Sequence, residues 1–339
     1  MTSRFNAQPD RTRRRLLQTS LAGCAWVGLP GGMAAAQQDA VPRQVRIVVP
    51  YTAGGASDTV ARIIGQELQL RTGQTVLVDN RPGASGLIAM DNVQKSAPDG
   101  STLMLISGAN VLALAFQGKT FNMQDELTAL GLLFTQKLVL VVNPQTPRTA
   151  AIRNVADLVA HAKAHPNTLN YASSSPGTMG HLLMERFKAT AGLQIAHIPY
   201  KGSPQAVTDL LGGQVDMFFA DQTSTLPYIR AEKLRAIGVG GTSRIAALPD
   251  IPTFGEQNFP TIVPGIWAGI AAPARMPQEV ARRIAADIKA VFELPAVQDK
   301  IRGSGNEPWY LPPQEMAAYV NSDFQTWNKF IKDNRITVD

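Results

Sequence analysis

From residue 44 onward, short aliphatic and β-branched runs alternate with stretches of helical period, and no other feature narrows the fold as much. A chain that places a helix between successive strands builds a parallel or mixed sheet with helices on its faces. Strands are predicted at Val45–Val49, Thr75–Val78, Thr102–Ile106 and Leu138–Val142, and helices at Ser57–Leu70 and Leu87–Lys95. The loops between them carry Gly, Pro, Asn and Asp, as βα turns require. After "VVNPQTP" (141–147) the same pattern restarts: Leu169–Ala172 leads into "SSSPGTMG" and a helix, and residues 195–221 read as strand, loop, helix and strand. Ser203 and Pro204 suit the N-cap and first position of that helix. Another helix and strand follow over 224–241, then an apolar, proline-containing stretch over 265–275 and helices at about 278–293 and 313–333. No short repeat period appears, so a solenoid is excluded.

The first 36 residues read as an export signal rather than as part of this fold. Arg13, Arg14 and Arg15 precede the apolar stretch "LLQTSLAGCAWVGLPGGMAAA", and Ala34 and Ala36 supply the small residues of a cleavage site. That order is secretory, and the paired arginines point to the twin-arginine route. Leu21-Ala22-Gly23-Cys24 also has the form of a lipobox, which would leave a lipid on Cys24, but apolar residues continue past it and favour cleavage after Ala36. Both routes export the protein to the periplasm. Cys24 is the one cysteine of the chain, so the part beyond Ala36 has neither thiol nor disulfide and must stand on its packed cores. The net charge of +6 falls to 27 basic against 25 acidic residues beyond residue 36. The basic character therefore belongs to the leader, and no basic stripe with interleaved aromatics marks a nucleic-acid surface. At 339 residues and 45% hydrophobic composition, the chain is long enough for two cores.

Two strand-to-helix turns carry the functional signal. The first lies in "VVPYTAGGASDTVARII" (48–64), the second in "SSSPGTMG" (173–180). The helices that follow share an apolar stripe, with Val60, Ile63, Ile64 and Leu68 at the same offsets as Met179, Leu182, Leu183 and Phe187, and with Thr59 and Thr178 ahead of them. Any βα unit buries such a stripe, but burial does not demand loops this poor in bulky side chains. A helix start offers unpaired N–H groups and the positive end of its dipole, and so favours anions. The anion could be a phosphate or a carboxylate. The Gly54-Gly55 pair lacks the G-x-G-x-x-G spacing of a dinucleotide fingerprint, and G-x-x-x-x-G-K-[ST] is missing as well. A helix end supplies only about 0.3–1 kcal/mol, whereas micromolar binding needs about 8 kcal/mol. Charge-assisted hydrogen bonds, at roughly 1.5–3 kcal/mol each, must supply most of it.

Other polar residues admit two readings each. Asp58 either caps its helix or orients the first loop. Ser173, Ser174 and Ser175 are loop hydrogen-bonding residues or contain a nucleophile; "SSSPG" does not match the G-x-S-x-G elbow. An exported hydrolase using these serines, with His181 or His197 as base, is the rival to a binding protein. His161 and His165 are spaced i, i+4 but sit at a polar helix end, where they read as solvated rather than as metal ligands. Asp221 ends a strand, where it is a ligand contact or a turn residue. A cytoplasmic sensing domain conflicts with the export signal and with the lack of a DNA-binding segment.

Taken together, "VRIVVPYTAGGASDTVARII", "VLVDNRPGASGLIAMDNVQKSAPDGSTLML", "HIPYKGSPQAVTDLLGGQVDMFFAD", "LPDIPTFGEQNFP" and "WNKFIKDNRI", in this order and spacing, resemble the Bug receptors, the extracytoplasmic solute-binding components of tripartite tricarboxylate transporters. The resemblance implies an α/β fold of the two-domain periplasmic-binding-protein type (type II-like), with mixed sheets flanked by helices and a cleft between domains. Its domains would be 41–141 with 266–339, and 142–265. It implies a monomeric, non-catalytic receptor for a small di- or tricarboxylate, amino acid or aromatic acid, without cofactor, metal or nucleic acid. The partners would be permease subunits or a sensor. The ligand carboxylate would be held by loop amides: Tyr51, Ala53, Gly54, Gly55 and Asp58 in the first loop, Ser173, Ser174, Gly177 and Thr178 in the second, with Ser107 and Asp221 at strand ends lining the cleft. Tyr51 stands where the family commonly has phenylalanine, and Pro176 where it usually has glycine. The stretch "LISGANVLALAFQGKTF" also lacks the family's Asn-Pro turn.

Overall fold

The computed structural model describes residues 42–263 and 266–338. The expected leader, its cleavage site and Cys24 lie outside the described residues. The first half runs β1 (Gln44–Val49), α1 (Ala56–Thr72), β2 (Thr75–Asn80), α2 (Leu87–Gln94), β3 (Thr102–Ser107), α3 (Gly108–Phe116), α4 (Met123–Glu126) and β4 (Leu127–Gln136). The second comprises β5 (Leu138–Val142), α5 (Val155–Ala164), β6 (Asn170–Ser173), α6 (Met179–Ala191), β7 (Ala196–Pro199), α7 (Ser203–Leu211), β8 (Met217–Asp221), α8 (Gln222–Arg230) and β9 (Arg235–Gly240). The chain closes with β10 (Ile266–Pro273), α9 (Gln278–Phe292), α10 (Pro295–Gly303), β11 (Glu307–Leu311) and α11 (Pro313–Asp333).

The strands form two mixed sheets, ordered β11-β4-β10-β3-β1-β2 and β7-β6-β8-β5-β9. In each, the βα units pair in parallel, β1 with β2 and β3, and β6 with β7 and β8. The strands that carry the chain between sheets are antiparallel: β10 against β3 and β4, β5 against β8 and β9. Each sheet with its helices is called a lobe below. Because β5 pairs only within the second sheet, the chain first crosses at Lys137, not after residue 141 as expected. The run "LVLVV" is buried throughout, so its pattern carries no mark of which sheet receives it.

Most predicted elements form within one or two residues of their expected bounds. The 10-residue β4 was not expected; its apolar run lacks a clean period of two, because both faces are covered. α3, α10 and β11 were missed as well. One apolar cluster runs through both lobes, from Met104 and Trp327 in the first to Tyr171, Phe187 and Phe219 in the second. Separate clusters fill the outer faces beneath α1 and α9 in one lobe and α7 in the other. Among the described residues no helix is long and apolar enough to cross a membrane.

Candidate functional site

The first loop connects β1 to α1. Gly54 has φ +88°, a conformation that costs a side-chain-bearing residue, and its N–H donates to Asp58 Oδ2 at 2.9 Å. Asp58, buried, also accepts from Arg62 Nε at 2.9 Å and, through Oδ1, from Asn80 Nδ2 at 2.9 Å. Asn80 in turn donates to the Tyr51 carbonyl. Burial is the largest single effect on Asp58 and pushes its carboxyl pKa up, but Arg62, the Gly54 N–H and Asn80 together outweigh it and hold the pKa below the usual value. Asp58 therefore orients the loop from the third helical position. The N-cap is Gly55, which has no side chain to satisfy the first-turn amides of α1.

The second loop repeats this construction. Gly177 has φ +74°, and its N–H donates to His181 Nδ1 at 3.0 Å. The N-cap is Thr178, but its hydroxyl is turned to the Ser175 carbonyl, so α6 also begins without a side-chain cap. Aligned on these caps, Val60, Ala61, Ile64 and Leu68 correspond to Leu183, Met184, Phe187 and Ala191, all buried. The apolar echo in the sequence was thus matched one helical turn out of register. The real correspondence is Gly54/Asp58 with Gly177/His181.

Between the lobes lies a cavity of about 330 Å³, bordered by both loops. Of the expected site residues, Tyr51, Gly55, Ser174, Gly177, Thr178 and Asp221 line it. Ala53 and Gly54 are exposed at the loop tip, and Asp58 lies behind the loop. Ser107 is buried behind the wall, bonded to the Tyr51 hydroxyl at 2.5 Å and to Asn110 Oδ1 at 2.9 Å. With Asn110 Nδ2 also near it at 3.4 Å, the Tyr51 hydroxyl is held against its own lobe, and burial pushes its pKa up. Ser173 is buried too, its Oγ 2.6 Å from His197 Nε2. Asp221 is both lining residue and N-cap: it accepts from the Ser224 N–H at 2.8 Å and from the Ser203 hydroxyl at 3.3 Å. The N-cap of α7 is Gly202 rather than Ser203 as expected.

Three further helix starts reach the cavity, and the sequence reading missed them: Gly108 and Ala109 of α3, Ser203 of α7, and α8 behind Asp221. α7 too lacks a side-chain cap. The inner wall comes from the crossing strands. Gln136 and Leu138 face the cavity, while Thr135 and Lys137 face a separate pocket on the other side, as strand alternation requires. Ile266 and Trp267 on β10 lie in register with Gln136 and Thr135. No periodicity in the sequence pairs these segments, which are some 130 positions apart. The one available signal was the Gly-Ile-Trp run after a proline.

Helix starts without side-chain caps, one from each lobe, thus border one cavity in an α/β fold, the arrangement of a binding protein. The chain belongs to the tripartite tricarboxylate transporter receptor family, TctC, whose model matches residues 60–336. It is 30% identical to the protein BugT of Bordetella pertussis over 312 residues, 91% of this chain and 94% of that one. Among solved structures it is similar to the periplasmic binding protein BugD (26% identity, TM-score 0.69) and to the R. palustris protein Rpa4515 solved with adipate (29% identity, TM-score 0.72). Each comparison covers 87% of this chain and 98% of the other. The fold is accordingly that of a periplasmic binding protein, two mixed sheets with flanking helices.

Proposed function

We propose that this chain is an exported receptor that captures a small carboxylate between its lobes. It would deliver that ligand to membrane permease subunits of a tripartite transporter, or report it to a sensor. The observation that carries this reading is the convergence of the uncapped starts of α1 and α6, from different lobes, on one cavity. The carboxylate is held by first-turn amides near Gly55 and Thr178, with Ser174 at the rim. Gly54, Asp58, Ser107 and Ser173 act one step back, by fixing the loops that carry those amides; Ala53 closes the loop tip. The lobes, joined at Lys137 and again before Ile266, act as domains that close on the ligand. The adipate complex of the R. palustris relative supports the carboxylate class.

The test is mass spectrometry of small molecules released from protein purified without refolding, joined to thermal-shift screening with a panel of carboxylic and amino acids. A released acid, and stabilisation by the same acid, is the expected result. If no acid is released and none stabilises the fold, the receptor reading fails. The Ser173–His197 contact is what a hydrolase would use, but Ser173 has 0% of its surface exposed and does not line the cavity. No carboxylate hydrogen-bonds His197 among the described residues.

A further inference from the structure

The chemistry of the cavity wall narrows the ligand, on the assumption that the receptor reading holds. None of the described lining residues is Lys, Arg or His, and the only ionisable acid among them is Asp221. Two nearby cations are committed elsewhere, Arg62 to Asp58 behind the first loop and Lys137 to Glu307, Ser243 and the Arg244 carbonyl on the far side of the crossing strands, and Lys201, two residues before Ser203, is exposed and outside the cavity lining. The hydroxyl-bearing lining residues Ser57, Ser174, Thr178 and Ser203 come from the loops and first turns at the starts of α1, α6 and α7, whereas Leu112, Leu138, Ile266 and Trp267 supply apolar surface.

Both aromatic side chains with a polar handle turn that handle away from the cavity. The Trp267 indole N–H donates to Asp323 at 2.8 Å, and the Tyr51 hydroxyl is held by Ser107 and Asn110. Each therefore offers the ligand carbon surface only. On the inner wall one neutral amide, Gln136, remains to meet a hydroxyl or carbonyl. A second carboxylate placed there would lose its hydration with no cation to meet it, and one placed toward Asp221 would face a like charge.

We infer that the cavity selects monocarboxylates with an apolar body, aliphatic or aromatic, over the di- and tricarboxylates for which the family is named. The carboxylate sits at the starts of α1 and α6 and the apolar body lies against Trp267, Ile266, Leu112 and Leu138, while Asp221 stands at the starts of α7 and α8. Asp221 excludes a second negative charge.

Calorimetry on the purified chain, first freed of endogenous ligand, compares hexanoate, 4-methylpentanoate, benzoate and phenylacetate with succinate, adipate and citrate. At least one of the first group is expected to bind about 100-fold or more tightly than any of the second, because a buried unpaired charge is costly to desolvate. A di- or tricarboxylate that binds as tightly as the best monocarboxylate overturns the inference but leaves the receptor reading standing. Binding of neither group overturns both. Asp221→Asn retains a good N-cap for α8 and removes the charge. It should narrow the monocarboxylate-to-succinate ratio about tenfold, as expected for loss of a like-charge contact at short range. An unchanged ratio overturns the excluding role of Asp221. Succinate binding that disappears in Lys201→Gln would show that this exposed lysine, beside Ser203 in sequence, supplies the missing cation, and would equally overturn the inference.

Discussion

The first and second loops share one construction and differ in the acceptor that holds it. In both, a glycine at positive φ passes its N–H to the side chain four residues later, at the third position of the helix that follows. The first loop uses Asp58, a carboxylate tied to Arg62 and Asn80. The second uses His181, a neutral imidazole stacked 4.1 Å from His197. Two βα turns can therefore present the same amides to a ligand while depending on opposite electrostatic conditions. Asp58 accepts three hydrogen bonds best as the charged carboxylate, whereas Nδ1 of His181 accepts only while it is unprotonated.

Removal of the anchor from the first loop should have the largest effect. Asp58→Ala leaves the Gly54 N–H without its acceptor and takes one of two acceptors from the Asn80 amide and from Arg62, a loss of about 3 kcal/mol, at the low end for a broken buried pair because Arg62 is half exposed. Denaturant unfolding checks this, and a loss below about 1 kcal/mol would show that Asp58 is merely a surface-like pair partner.

Acid should break the second loop before the first. Burial is the main cause that pulls the His181 pKa down, from 6.5 to about 4; His197 and Lys188 act in the same direction and Glu185 opposes them. Tyr171, whose hydroxyl donates to Glu185, is stacked on both rings. Between pH 6.5 and about 4 the unfolded chain binds a proton at this histidine that the folded chain refuses, so stability falls as pH falls, by up to about 3 kcal/mol across the window. The Asp58 contribution has the other position: it is present above the unfolded carboxyl pKa of 3.8 and is lost only as pH drops through the lower folded value. Urea unfolding from pH 7 to 4.5 should show the decline in the parent chain and a shallower one in His181→Gln. Equal slopes would remove His181 as the cause.

The helix starts also differ at their second position, Ser57 in α1 and Gly180 in α6. A Cβ on Gly180 would lie 2.4 Å from the Phe219 carbonyl oxygen, a backbone atom that cannot step aside alone. Gly180→Ala should cost about 1–3 kcal/mol through overpacking and weaken ligand binding, whereas Ser57→Ala should leave stability within about 0.5 kcal/mol. The smallest effect is expected for Ser173→Ala, which removes one hydrogen bond to His197 at about 0.5–1.5 kcal/mol. Any ester hydrolysis by the parent that vanished in this variant would revive the hydrolase reading.

How far the sequence could be read follows from what sets each feature. The helices with one apolar stripe, such as α1 and α11, were found to within two residues, since a period of 3.6 marks them directly. β4 and the sheet membership of β5 were not found, because strands buried on both faces carry no alternation to read. In the site, the two glycine loops stood out by composition. The anchors did not: Asp58 read as a cap or an orienter, and His181 only as a distant base.

The residues alone determined that this chain builds βα units, that two of their turns are poor in bulky side chains, and that no thiol lies beyond residue 36. These are local properties, set by backbone conformation, helical period and side-chain chemistry. The tertiary structure decided which amides remain free, since the acceptors Asp58 and His181 and the caps Gly55 and Thr178 are distinguished only once the helices have a register. It also decided the character of the cavity wall, because Gln136 meets Ile266 through strand pairing across more than a hundred residues and Leu138 meets Asp221 through another pairing, contacts that local pattern does not encode.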